Sequence, residues 1–273
     1  MGKNLNVSIV LFNSEFTQID NLVKGFRTNK AINQIYLVDN SPTINKTFEK
    51  CDANYIFTGK NLGYGIGHNI AIKKTLHEGI KYHLVLNPDI YIETTTLNDL
   101  LHYMNENEDV GLVMPQIRYP NGQTQYLCKL LATPFDLIGR RFLPFKQIIR
   151  KRNNIYELRF TGYDKLIEVP SLSGCFMFFR TDTLKKVDGF DERFFMYCED
   201  LDLSRRIGQI SKTVFYPKVS IIHNYEKGSY KDLKLLIYHI TSAIKYFNKW
   251  GWFFDKERKR INRKVLKQLE YKK

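Results

Sequence analysis

Asn6-Val-Ser-Ile-Val-Leu-Phe12 is apolar at most positions, the pattern of a strand covered on both faces. Residues 15–29 switch to helical spacing, with Phe16, Ile19, Leu22, Val23 and Phe26 on one face, and Gln34-Ile-Tyr-Leu-Val-Asp39 returns to a strand. The alternation continues through a strand at 55–58, a helix at 69–78, a strand at 82–87, a helix at 93–107 and a strand at 111–115. Strand-helix units of this length predict an α/β fold with a mostly parallel central sheet and helices on both faces. Residues 126–165 lose any clean period and read as an irregular, basic insertion. Periodicity resumes with a strand at 173–180, a short helix at 181–187, and strands at 213–216 and 219–223, completing a domain over residues 1–230. Leu233, Leu236, Ile237, Ile240, Ile244 and Phe247 form one stripe on a helix over 231–254. With the basic run behind it, this helix forms a C-terminal helical appendage, residues 231–273.

Composition adds a partner and a compartment. Hydrophobic residues make up 43% of the 273-residue chain, enough for a packed core. Cys51, Cys128, Cys175 and Cys198 are far apart and suggest neither a zinc site nor a disulfide framework. With no signal peptide at the start and no run of about eighteen apolar residues, a reducing cytoplasmic setting is expected. The net charge of +14 is concentrated in two patches, Arg140, Arg141, Lys146, Arg150, Lys151 and Arg152, and the run at 256–273. Such patches point to an anionic partner, either nucleic acid or acidic lipid headgroups. Trp250, Trp252, Phe253 and Phe254 beside the basic tail suit a peripheral helix at a membrane, while core packing of the stripe is equally consistent. A nucleic-acid-binding protein remains an alternative, although no zinc, helix-turn-helix or single-strand-binding signature accompanies the charge.

Polar residues gather where strands end, the edge at which such sheets bind ligands. Phe12-Asn13-Ser14, Asp39-Asn40-Ser41, the glycine loop at 59–69 and Asn87-Pro88-Asp89 follow four successive strands and favour a nucleotide pocket. Gly63, Gly65 and Gly67 allow a close backbone approach to phosphate, but a dinucleotide fingerprint needs glycine where His68 stands, which disfavours an NAD-dependent enzyme. Pro88 ends its strand, so Asp89 either caps the turn or offers an oxygen to a divalent cation held with a diphosphate. His223, at another strand end, gains meaning if it shares that pocket. Finally, Gly189–Arg206 packs Asp191, Glu192, Glu199, Asp200 and Asp202 among Phe190, Phe194, Phe195 and Tyr197. Carboxylates against an apolar wall are where a general base can be tuned, and also where a helix start welcomes negative charge.

In their order and spacing over residues 6–250, these motifs resemble family 2 glycosyltransferases of the GT-A fold, especially bacterial rhamnosyltransferase-like enzymes of polysaccharide assembly. The carriers are the strand ending at Asn13, Leu-Val-Asp-Asn40, Asn61 to Asn69, Leu-Asn-Pro-Asp89, Ser173-Gly-Cys-Phe-Met and the acidic segment. The resemblance implies that Phe12, Asn13 and Asp39 hold the nucleoside, and that Asn61, Gly63, His68, Asn69 and Asn87 lie along the nucleotide. Asp89, aided by His223, would hold Mg2+ or Mn2+, with Asn87 standing where the family motif has its first acid. Asp200 would be the catalytic base and Glu199 its neighbour. The implied reaction is inverting transfer of one sugar from a nucleotide-sugar donor, dTDP-rhamnose or a UDP-hexose, to a lipid-linked saccharide. The setting would be O-antigen or capsule synthesis at the inner face of the cell membrane, without a nucleic-acid partner.

Overall fold

A computed structural model describes residues 2–140, 144–224 and 232–271. Parallel strands β1 (Leu5–Leu11), β2 (Ile32–Asp39), β3 (Asn54–Phe57) and β4 (Tyr82–Leu86) form one half of a nine-stranded sheet in the order β3-β2-β1-β4. Helix α1 (Phe16–Arg27) buries Ile19, Leu22, Val23 and Phe26, the face its spacing predicts. Helix α3 (Thr94–Glu106) leads to β6 (Val110–Arg118), and β8 (Phe176–Arg180) runs antiparallel between β4 and β6. β9 (Lys212–His223) lies parallel to β6, with the short β5 (Ile90–Tyr91) and β7 (Ile167–Glu168) antiparallel to it. The sheet is mostly parallel, so its functional edge collects the ends of β1, β2 and β4.

Three elements depart from the sequence pattern. Helix α2 (Tyr64–His77) starts five residues before the expected Asn69, with the glycine loop as its first turn. β9 is one strand where two were expected; its register shifts opposite Pro115 and Gln116, which lets the chain pass Pro217 without breaking the sheet. The insertion is ordered rather than irregular: helix α4 (Lys146–Tyr156) is fastened by Arg152, whose Nε and Nη2 donate to the fully buried Asp136 at 2.6 Å each. The Tyr163 hydroxyl donates to the Glu157 carbonyl at 2.7 Å, closing the insertion onto itself.

Helix α5 (Thr181–Val187) precedes the acidic segment, which ends in α6 (Glu199–Ile207). The helix expected over 231–254 ends earlier, as α7 (Leu233–Trp250), before Gly251 (φ +98°), and the basic run forms a second helix, α8 (Lys256–Gln268). Both pack onto the body: Ala243, Tyr246, Phe247 and Val265 belong to the same hydrophobic core as β1. Arg205 in α6 pairs with Asp255 at 2.7 Å, both side chains fully buried, and Trp250 Nε1 donates to the buried Asp202 at 2.7 Å. Arg258 of the basic tail is itself buried, donating to the carbonyls of Ala132 and Trp252. Among the described residues no helix is long and apolar enough to cross a membrane. Arg141, residues 225–229, Lys272 and Lys273 lie outside the described residues.

Candidate active site

A cleft of about 910 Å³ opens between the sheet edge and the insertion. The sheet side contributes Asn87, Gly174 and His223, α6 contributes Glu199 and Asp200, and the insertion contributes Tyr126, Lys129, Arg140, Glu157 and Arg159. Residues from five separate stretches of the chain thus converge, which only the fold could bring about.

Asp200 is the most closely positioned of them. Tyr197 and Cys198 both take left-handed backbone angles, φ +68° and +64°, just before α6. Two such non-glycine residues in a row cost on the order of 1–3 kcal/mol each, a strain that functional sites tolerate because it fixes the course of the adjoining backbone. Here that backbone is the first turn of α6. In it, Asp200 Oδ1 accepts the Leu201 N–H at 2.7 Å and Oδ2 accepts the Gly174 N–H at 2.9 Å. The carboxylate is half-buried and held in one orientation while it lines the cleft. Tyr64 donates its hydroxyl to the Gly174 carbonyl at 2.5 Å, bracing the same turn from α2.

Glu199 differs from its neighbour. Only 6% exposed, it has Oε2 buried with no hydrogen-bond partner among the described residues. Burial, reinforced by the charge on Asp200, pushes its pKa well above the usual carboxylate range. The two adjacent carboxyls thus lie in different surroundings, Glu199 buried and Asp200 half-buried at the cleft wall.

On the sheet side His223 lines the cleft, and Asp89 comes together with it as the sequence could only suggest. Asp89 Oδ1 lies 3.3 Å from His223 Nε2, and Asn87 Nδ2 lies 3.4 Å from the same nitrogen. Burial opposes a charge on His223, yet the Asp89 carboxylate and the Cys175 thiol hold its pKa up to about 10. Gln125 grips the ring from behind: His223 Nδ1 donates to Oε1 at 3.0 Å, and Nε2 of Gln125 donates to the His223 carbonyl at 2.7 Å. A polar partner of this kind aims the other ring nitrogen. Asp89 Oδ1 is buried and faces His223 Nε2 without an aligned hydrogen bond, an oxygen whose coordination a hard cation could complete. Among the described residues no three His, Cys, Asp or Glu side chains gather to hold a metal. Asp89 and His223 therefore fit an ion only if a diphosphate and water complete its shell.

The expected nucleotide residues divide into two groups. Phe12, Asn13 and Asn61 are exposed, with Asn13 in a left-handed turn (φ +51°) whose N–H donates to Ser41 Oγ at 2.8 Å. Asp39 exposes nothing: Oδ1 accepts the Ser41 N–H at 2.9 Å and Oδ2 the Tyr55 hydroxyl at 2.7 Å. Gly63, His68 and Asn69 point into the protein. A Cβ on Gly63 would meet the Phe195 carbonyl oxygen at 2.2 Å, and Asn69 exchanges two hydrogen bonds with the Phe190 backbone at 2.8 and 2.9 Å. His68 is fully buried, its Nδ1 2.7 Å from Ser8 Oγ, and burial drives its pKa well below the usual value. These three bind α2 to the sheet and to the acidic segment. Asp191 and Asp202 are likewise engaged, both paired with Lys249, and Glu192 pairs with Lys73. Gln125 and Lys129 enter the site without having been singled out in the sequence, whereas Tyr64 and Gly174 come from motifs that carried the resemblance.

The family model for glycosyl transferase family 2 matches residues 11–188. Over 196 residues the chain is 28% identical to rhamnosyltransferase WbbL of Escherichia coli (strain K12), covering 67% of this chain and 70% of that protein. It is 27% identical over 192 residues to N-acetylglucosaminyl-diphospho-decaprenol L-rhamnosyltransferase of Mycobacterium tuberculosis, covering 64% of this chain and 60% of that one. In fold it matches the crystal structure of GalNAc-T7 with UDP, GalNAc and Mn2+, with a TM-score of 0.63 at 14% identity over 98% of this chain and 55% of that chain. The chain belongs to glycosyl transferase family 2, built on the GT-A fold and similar to its rhamnosyltransferases.

Proposed function

We propose that the protein transfers one sugar, with inversion, from a nucleotide-sugar donor to a lipid-linked saccharide, and that Asp200 is the base. The observation that carries this reading is the Asp200 carboxylate, fixed by two backbone N–H groups and open to a cleft that His223, the ion-pair partner of Asp89, also lines. An acceptor hydroxyl bound in the cleft donates its proton to Asp200 as its oxygen forms the new bond to the anomeric carbon of the donor. The bond from that carbon to the nucleoside diphosphate breaks on the opposite face, so the configuration inverts. Asp89 would hold Mg2+ or Mn2+ together with the diphosphate, with His223 Nε2 as a ligand once the ion displaces its proton, and the ion would supply charge stabilisation to the departing group. Glu199, keeping its proton, adds no second negative charge beside the base.

Phe12, Asn13 and Asp39 are assigned to the nucleoside end, with Asn61 and Asn87 along the rest of the nucleotide. The lipid-linked acceptor rests on the Mycobacterium tuberculosis relative, which is named for a diphospho-decaprenol substrate. Peripheral binding at the inner face of the cell membrane belongs to the same proposal. Leu233, Ile237 and Ile244 lie exposed along α7, Phe253 and Phe254 protrude after it, and Phe145 and Ile148 do so beside Lys146, Arg150 and Lys151. The donor is tested by thermal stabilisation with dTDP-rhamnose, UDP-hexoses and UDP-N-acetylhexosamines, each with Mg2+ or Mn2+, since a ligand that binds the folded state raises its apparent stability. One nucleotide should stand out in the presence of metal; no stabilisation by any of them would contradict the proposal.

A further inference from the structure

We propose that the insertion forms an anion subsite for a phosphoryl group carried by the acceptor, with Lys129 as its central cation. This rests on the proposed transfer to an acceptor in the cleft and names a feature of that acceptor. Lys129 lines the main cleft and also a smaller cavity of about 160 Å³ beneath it, and Glu199 and Asp200 line both. Its backbone is fixed: the Lys129 N–H donates to the Ser171 carbonyl at 3.0 Å, and the adjoining Leu130 N–H to the Tyr156 carbonyl at 2.9 Å. Its side chain is half-buried, and no acceptor or carboxylate among the described residues engages its ammonium. A cation taken partly out of water and given no partner is costly unless a ligand supplies one.

Its neighbours strengthen the case. Arg140 and Arg159 also line the cleft, and both pair with the single carboxylate of Glu157, at 3.0 Å from Arg140 Nη1 and 2.7 Å from Arg159 Nε. Two guanidinium groups sharing one carboxylate leave a positive charge and spare donors for a further oxygen anion. All three cations come from the insertion, and none from the strand ends assigned to the nucleoside. The cleft that contains them does not extend to Asn13 or Asp39. Asn87 and His223 line the main cleft too, but the smaller cavity reaches Lys129, Arg140, Glu199 and Asp200 without them, which assigns the anion to the second substrate, on the Asp200 side. Tyr126, over whose ring the Arg159 guanidinium lies at 4.6 Å, offers a flat apolar wall for a sugar ring beside it.

The test uses the full chain with its donor site first filled by the nucleoside diphosphate that stabilises it best. Inorganic pyrophosphate and farnesyl diphosphate are then titrated calorimetrically into wild type, Lys129→Met and Lys129→Arg. Both probes should bind wild type, weaken by about tenfold or more in Lys129→Met, as expected for loss of a charge-assisted bond, and recover in Lys129→Arg. Nucleotide stabilisation should be equal in all three. Tighter binding of farnesyl diphosphate identifies a lipid-borne phosphoryl group, and equal binding identifies a soluble phosphorylated saccharide; either supports the subsite. Unchanged pyrophosphate affinity in a folded Lys129→Met, or a parallel loss of nucleotide stabilisation, would overturn it. Binding is read without turnover, so an error in the assignment of Asp200 as base would leave this result standing.

Discussion

Asp200 Oδ2 and the backbone N–H of Gly174 are joined at 2.9 Å, so the turn before β8 sets the direction of the proposed base. A Cβ on residue 174 would stand 3.3 Å from Asp200 Cβ and 3.4 Å from the Tyr64 ring, close enough to displace the carboxylate by a few tenths of an ångström. Gly174→Ala should lower kcat by about tenfold or more, because catalytic geometry is sensitive to small misplacements. Its KM for the donor should stay near the wild-type value. An unchanged kcat with a raised donor KM would place Gly174 at the nucleotide instead.

Glu199 gives a pH signature. Its folded-state pKa is raised well above the ordinary 4.5 by burial and by Asp200. The unfolded chain ionises this carboxyl near 4.5 while the folded chain keeps the proton, so the stability it contributes is complete below that pH and is lost as pH rises towards the folded-state pKa. Glu199→Gln removes the linkage and keeps the shape of the protonated acid. Thermal midpoints should match wild type near pH 4 and favour the variant increasingly from about pH 5 upward. A difference independent of pH would show that Glu199 is ionised in the fold.

The C-terminal helices are held by charge as well as by apolar packing. Asp255 meets Arg205 in a pair with 3% and 1% of the side chains exposed, and its Oδ1 also accepts the Arg258 N–H at the start of α8. Asp255→Ala leaves Arg205 buried without that partner and should cost about 3–5 kcal/mol, measured by urea denaturation. A loss below about 1 kcal/mol would mean that α8 is not bound to the body through this pair.

Removing residues 256–273 would not isolate a membrane contact, because Arg258 and Val265 are buried. Phe253 and Phe254, 69% and 94% exposed, are the cleaner probes. Phe253→Ser with Phe254→Ser should leave the melting temperature unchanged and weaken binding to phosphatidylglycerol vesicles by about tenfold or more, since burying each ring contributes roughly 1.5–3 kcal/mol. Equal vesicle binding would assign these rings to another partner.

The strands were legible because β1, β2 and β4 are nearly continuous apolar runs, which the observed elements match within one or two residues. The start of α2 was hidden because its glycines imitate a phosphate loop. They are glycines for packing: a Cβ on Gly65 would stand 2.9 Å from Phe190, and one on Gly67 2.7 Å from Val10. The order in the insertion was invisible for a different reason. It rests on single pairings such as Asp136 with Arg152, which leave no period in the sequence. Asp89 and His223 could be named separately as strand-end residues, but their 3.3 Å approach depends on β5 pairing with β9. Lys129 and Gln125 carry no pattern at all and become significant only through what they face.

In the proposed mechanism Asp200 takes the acceptor proton. Asp200→Asn keeps the side chain's shape and removes the charge that accepts it. The decisive measurement follows sugar transfer and nucleotide-induced thermal stabilisation in the same preparation of this variant. A fall in transfer of about a thousandfold or more, in the range of general-base loss, is predicted, with stabilisation by nucleotide nearly intact. Transfer within about tenfold of wild type, from a variant that still binds nucleotide, would contradict it.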